Sequence, residues 1–204
     1  MKDGIIKYDF QFTKTSPLDK KLWEETEKIR EELFAMKLIG WKDGIGYGNI
    51  SKREGEKSFV ITGTQTGDKK SLDANDYTLV EDFEDEKFYL KSSGMIKPSS
   101  ESLTHATIYN LDKDINAVIH IHSLNLWRFM LEGDYLKTKD VPYGSKEMIK
   151  EVKRIYQDIN PLENPKFVMS GHQEGIMVFG KSLRSALITL FEVIGGFIVN
   201  KNII

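Results

Sequence analysis

The segment Ala117-Val118-Ile119-His120-Ile121-His122 constrains the fold more than any other part of the chain. Apolar apart from two imidazoles, it reads with Asn116 as a strand buried in a sheet. Successive side chains on a strand point to opposite faces, so His120 and His122 share one side while Ile121 packs on the other. Two imidazoles at that spacing can share one metal ion. Taken alone, the pair is evenly balanced between a metal site and two unrelated polar residues.

Other elements assemble around this strand. Ser16-Pro17 offers an N-cap and a proline at the first helical position, and Leu18, Leu22, Ile29, Leu33 and Met36 then share a face until Gly40. Short β-rich runs follow at 48–52, 58–62, 77–81 and 88–91. A helix is expected from Ser100 or Glu101 to about Leu111, another over 144–159, two strands around a tight turn at 166–169 and 175–179, and a long last helix over 182–200. Helices and strands that interleave in one chain predict an α/β sandwich. The 204 residues, 40% hydrophobic and 29% charged, suffice for one domain, expected to span 1–204.

Charge and composition narrow the function. A formal net charge of -2 gives no sign of a nucleic-acid or anionic-membrane surface. The absence of cysteine removes disulfides, thiolate metal sites and cysteine nucleophiles, leaving imidazole and carboxylate as metal ligands. Residues 1–10 lack the apolar core of a signal peptide, and the longest apolar stretch, 186–199, is interrupted by Glu192 and short for a bilayer. No membrane association and a cytoplasmic location are the expectations.

Beyond His120 and His122, Glu101 is the main candidate. At the start of a helix a carboxylate serves as a cap, or it faces the metal and moves a proton next to a polarised carbonyl. His105, one turn later, is expected to support the site or the core. Ser99 and Ser100 stand at the same helix end, where hydroxyls and free N–H groups suit phosphate or carboxylate oxygens. Gly48-Asn49 and Thr66-Gly67 lie in two loops that offer similar donors, or simply form turns.

In their order, these motifs resemble the class II aldolase/adducin family. The resemblance runs from about Leu22 to Ile194 and rests on Gly48-Asn49-Ile50-Ser51, Ile61-Thr62 with Thr66-Gly67, Pro98-Ser99-Ser100-Glu101 with His105 and Tyr109, Ala117 through Ser123, and Gly175 to Gly180 leading into Ser182-Leu183. It implies a three-layer α/β/α sandwich with a mainly antiparallel central sheet, assembled as a homotetramer. It further implies a metal, most commonly Zn2+ with Mn2+ or Fe2+ as alternatives, on three histidines that include His120 and His122. Glu101 corresponds to the acid/base, and Gly48, Asn49, Thr66, Gly67, Ser99 and Ser100 to phosphate-binding positions. The implied activity is that of a lyase on a small hydroxy-carbonyl compound, such as a sugar phosphate, through a metal-stabilised enediolate. A methylthioribulose-phosphate-type dehydratase, a sugar-phosphate epimerase and a non-catalytic adducin-like scaffold are the alternatives.

The chain departs from the family pattern in three places. The family's third histidine precedes a glycine, a position held here by Glu174, with His172 two residues earlier; 172 and 174 share strand parity, so either is a candidate third ligand. Tyr47 stands where a small residue is usual, and the loop 63–67 is long. The segment between Ser123 and Gly144 is shorter than in well-known aldolases, and it is the region that shapes the substrate pocket.

Overall fold

The computed structural model describes residues 5–201, so residues 1–4 of the N-terminal segment considered above lie outside the described part. The chain begins with β1 (Asp9–Lys14), α1 (Lys20–Ala35) and a small hairpin of β2 (Gly40–Lys42) and β3 (Ile45–Tyr47). Four strands follow, β4 (Asn49–Gly55), β5 (Ser58–Thr62), β6 (Tyr77–Glu84) and β7 (Tyr89–Gly94). After them come α2 (Ser102–Leu111), β8 (Ala117–His122), α3 (Leu124–Glu132), α4 (Lys146–Ile155), β9 (Lys166–Val168), β10 (Gly175–Gly180) and α5 (Leu183–Asn200).

Eight strands form one sheet in the order β1-β7-β6-β5-β4-β8-β10-β9. Only β1 runs parallel to its neighbour, β7; the other pairs are antiparallel. The pleat sorts the core into two layers. Ala117, Ile119 and Ile121 of β8 join Ile50, Ile176 and Val178 beneath α1, α3 and α5, whereas Val118, Met177 and Phe179 face α2 and α4. This is the α/β arrangement expected, a large and mostly antiparallel sheet between helices.

Several boundaries differ from the sequence expectations for local reasons. The first helix is capped by Asp19, whose side chain accepts from Lys21 N–H, and not by Ser16. Leu18 N–H is engaged with the Ala74 carbonyl at 3.2 Å, which keeps that stretch out of the helix. Gly48 has φ +74 and forms the turn before β4 rather than its first residue. Gly144, at φ +55, lies ahead of α4, which occupies a shorter span than 144–159. Strand β1, the β2–β3 hairpin and α3 were not anticipated.

Helix α5 begins with a capping box between Ser182 and Ser185. By length and composition it would suffice to cross a membrane. One face is nevertheless occupied: Leu183, Ala186, Leu190 and Val193 are buried against the sheet.

Candidate metal centre and substrate cleft

The end of β8 organises the site. Because period two puts Ile119 and Ile121 under α1, α3 and α5, His120 and His122 emerge on the α2 and α4 side. Their Nε2 atoms lie 3.1 Å apart. Asn49 of β4 is the register partner of His120, and Gly175 of β10 that of His122. A third imidazole completes the group: the His172 ring centre is 5.2 Å from that of His120 and 4.7 Å from that of His122. One ring nitrogen from each of the three lies within 4.8 Å of the others.

His172 reaches this position from a tight turn, not from a strand. Its N–H donates to the Met169 carbonyl at 3.2 Å, and Gly175 N–H donates to the His172 carbonyl at 2.9 Å. Strand parity therefore does not relate residues 172 and 174. Glu174, at φ +71, turns away, and its Oε1 pairs with Lys42 Nζ at 3.2 Å. The structure thus gathers His120, His122 and His172, and places Glu174 outside them.

The donor set fits a divalent cation. The Ile176 carbonyl can only accept, so its 3.1 Å contact fixes the proton of His120 on Nδ1 and turns the Nε2 lone pair inward. Bonds of about 2.0–2.1 Å to zinc at the tetrahedral angle separate two nitrogens by about 3.3 Å, close to the spacing found here. His172 Nδ1 is buried with no hydrogen-bond partner among the described residues, an expensive condition for a nitrogen without a ligand to serve. A Cβ on Gly175 would stand 3.1 Å from that nitrogen and 3.2 Å from His120 Cε1, so glycine there leaves the rings their room.

Electrostatics agree with the geometry. Burial lowers His120 to about 4, and it holds His122 and His172 well below the ordinary histidine value, with the neighbouring His120 adding to the effect on each. At neutral pH the rings are uncharged, which is the ligating form.

Glu101 occupies the N-cap position of α2 without making a side-chain cap hydrogen bond. Only 3% exposed, its carboxylate instead approaches His120 Nε2 at 3.3 Å and His172 Nδ1 at 3.6 Å. His105, one turn on, is buried beneath it. Its Nδ1 is 2.7 Å from Ser51 Oγ, which in turn is 2.8 Å from the Tyr109 hydroxyl. That chain braces α2 against β4.

One cleft is lined by Gly48, Asn49, Thr66, Gly67, Ser99, Ser100, Glu101, His120, His122 and His172. Asn49 Oδ1 is buried there without a partner among the described residues. The cleft also contains Tyr143 and Gln65, which sequence reasoning did not single out. The Tyr143 ring lies 4.8 Å from that of His172 at 32°, so it backs the third imidazole. An aromatic residue between Pro142 and Gly144 in a connecting segment was the available signal. Tyr47 packs its ring 5.4 Å from that of His122 and walls the opposite side.

Residues 33–194 match the model of the class II Aldolase and Adducin N-terminal domain. A methylthioribulose-1-phosphate dehydratase of Yersinia enterocolitica (serotype O:8) is 39% identical over 87 residues, 42% of this chain and 38% of that one. The chain thus spans well under half of that relative's length. A methylthioribulose-1-phosphate dehydratase of Leptospira biflexa is 27% identical over 177 residues, 68% of this chain and 78% of that one. Among solved structures, a sugar-phosphate aldolase from Thermotoga maritima shares the fold with a TM-score of 0.67 and 17% identity, covering 88% of this chain and 93% of that one.

Proposed function

The chain belongs to the class II aldolase and adducin family, and on that premise we propose that it is a divalent-metal-dependent lyase of a small phosphorylated hydroxy-carbonyl compound. The observation that carries this reading is the convergence of three neutral imidazoles with a buried carboxylate that does not cap its own helix. His120, His122 and His172 would hold the ion, most readily Zn2+ given an all-nitrogen set, with Mn2+ or Fe2+ as alternatives. The bound ion would supply Lewis-acid stabilisation of the oxyanion charge that develops on the substrate.

The protein's own groups do the rest. Glu101 lies within reach of the same space as the ring nitrogens and moves a proton at the carbon or oxygen next to the carbonyl. Ser99, Ser100, Asn49 and the Thr66-Gly67 loop grip the phosphate. Tyr47 beside His122 and Tyr143 beside His172 flank the rings and exclude water from the faces they cover.

Dehydration of a methylthioribulose-phosphate-type substrate is the second reading, favoured by the curated relatives that carry that name. A homo-oligomer accompanies either reading, because Ile188 and Phe191 are exposed apolar residues on α5. Light scattering of the purified protein checks that assembly.

The test is metal analysis of the purified protein together with His120→Ala and Glu101→Gln, each assayed on a panel of ketose and aldol phosphates, with the products distinguishing cleavage from dehydration. Glu101→Gln is expected to keep its metal and lose activity by roughly 10²–10⁴-fold. A metal-free protein whose His120→Ala variant melts and assembles like the parent would sink the enzyme reading in favour of a scaffold.

A further inference from the structure

Behind the loop that contributes Thr66 and Gly67 lies a buried ion pair that the reaction itself does not use. Arg30 of α1 is 1% exposed. Its Nη1 donates to the Lys70 carbonyl at 2.7 Å, and its Nη2 donates to the Thr66 carbonyl at 3.3 Å and to that of Lys69. Glu27, one turn earlier, stands 3.9 Å from the guanidinium. Its carboxylate accepts from Leu72 N–H at 2.7 Å and from the Tyr77 hydroxyl at 2.6 Å. Two side chains of one helix therefore hold successive peptide groups of the segment 66–72 from behind.

A trans peptide points its carbonyl and the following N–H in opposite directions. Drawing the Thr66 carbonyl toward Arg30 consequently turns Gly67 N–H the other way, and Gly67 lines the cleft. Among the described residues, the N–H groups of Gln65, Thr66 and Gly67 have no partner. Gln65 sits at φ +58, and such a left-handed residue inside a turn makes neighbouring N–H groups converge on an anion. A Cβ at position 46 would lie 3.1 Å from Gly67 N, so glycine there keeps the group uncovered.

We propose that Arg30, supported by Glu27, is a positioning residue for anion binding: it holds the carbonyls of Thr66, Lys69 and Lys70 on the far side of the loop so that Gly67 N–H faces a phosphate in the cleft. This rests on the reading of Thr66-Gly67 as part of the phosphate grip. A planar fork that serves three carbonyls cannot be replaced by a single ammonium, so lysine restores the effect only in part.

The experiment titrates inorganic phosphate into the metal-loaded full chain by calorimetry for the parent, Arg30→Gln and Arg30→Lys. Arg30→Gln is expected to weaken phosphate by about tenfold or more through lost preorganisation, with Arg30→Lys between it and the parent and the metal content unchanged in both. On substrate, KM rises by a similar factor while kcat stays within about threefold, a split that general loss of structure would not produce. Should Arg30→Gln fail to fold, Arg30→Lys carries the same comparison. Parent-like phosphate affinity in a folded Arg30 variant overturns the proposal while the phosphate grip stands. A parent that binds no phosphate overturns the grip and the role of Arg30 with it.

Discussion

The Nδ1–H of His120 donates to the Ile176 carbonyl, 3.1 Å away on the neighbouring strand, and this contact commits the opposite nitrogen of the ring to the cluster. A main-chain carbonyl of the sheet is a partner that mutation cannot easily remove, so the ring's tautomer is a property of the β8–β10 register.

The third ligand can be assigned by comparing two variants. His172→Ala is expected to lower metal affinity by more than the roughly 100-fold typical of losing a supporting contact, whereas Glu174→Ala leaves metal occupancy within a factor of a few. Elemental analysis after dialysis against a weak chelator reads both. An emptied site in Glu174→Ala with full occupancy in His172→Ala would reverse the assignment.

Gly175→Ala probes the space under the rings. The added methyl group meets the His172 carbonyl oxygen at 3.0 Å, His172 Nδ1 at 3.1 Å and His120 Cε1 at 3.2 Å, so the turn that carries His172 and the two rings must shift. Metal affinity is expected to fall by roughly 10–100-fold, with a modest drop in the melting temperature of the metal-free protein. Equal metal affinity in the variant would mean that the rings have more freedom than their packing suggests.

Acid should act on the metal-free protein through its histidines. Burial lowers His120 to about 4 from an ordinary 6.5, and His105, buried against Ser51, is held well below that value too. Between these values the unfolded chain binds more protons than the folded one, so stability is full above about pH 6.5 and declines as the pH falls toward 4. The loss should amount to a few kcal/mol. Thermal melts of chelated protein from pH 7.5 to 4.5 measure it, and His105→Gln should flatten the curve. A melting temperature independent of pH over that interval would contradict the burial argument.

Tyr143→Ala tests the backing of His172. The ring packs at 4.8 Å and 32°, and its removal leaves one face of the imidazole open to water. A several-fold loss of metal affinity is expected, larger than for Tyr143→Phe, because the contact is made by the ring and not the hydroxyl. Equal effects of the two changes would instead assign the role to the hydroxyl.

How much of this was legible in the sequence depended on how local the determining physics is. The common face of His120 and His122 follows from the two-residue period of a strand, and it needs nothing but the strand itself. Ser58–Thr62 and the start of β10 were readable in the same way. The relation of His172 to Glu174 was not, since it depends on a turn in which Glu174 takes φ +71, a conformation that sequence alone seldom assigns to glutamate. Strand β1 escaped notice because it is an edge strand with much of its surface exposed, and its parallel partner lies far along the chain. Helix α3 is nine residues long, too short for periodicity to stand out. Arg30 carries no signal of its own in the sequence; only the folded loop explains why it is buried.

The segment at the start of the described chain has a practical bearing on how the protein is handled. The Tyr8 hydroxyl donates a hydrogen bond to the Ser99 carbonyl at 2.9 Å, and β1 then closes the exposed edge of β7. Trimming the chain to a tidier beginning at α1, an ordinary step in preparing a protein for crystals, would therefore remove a support from Ser99, which lines the cleft, and leave a bare sheet edge open to aggregation. Affinity handles are better attached elsewhere, or separated from Tyr8 by a spacer.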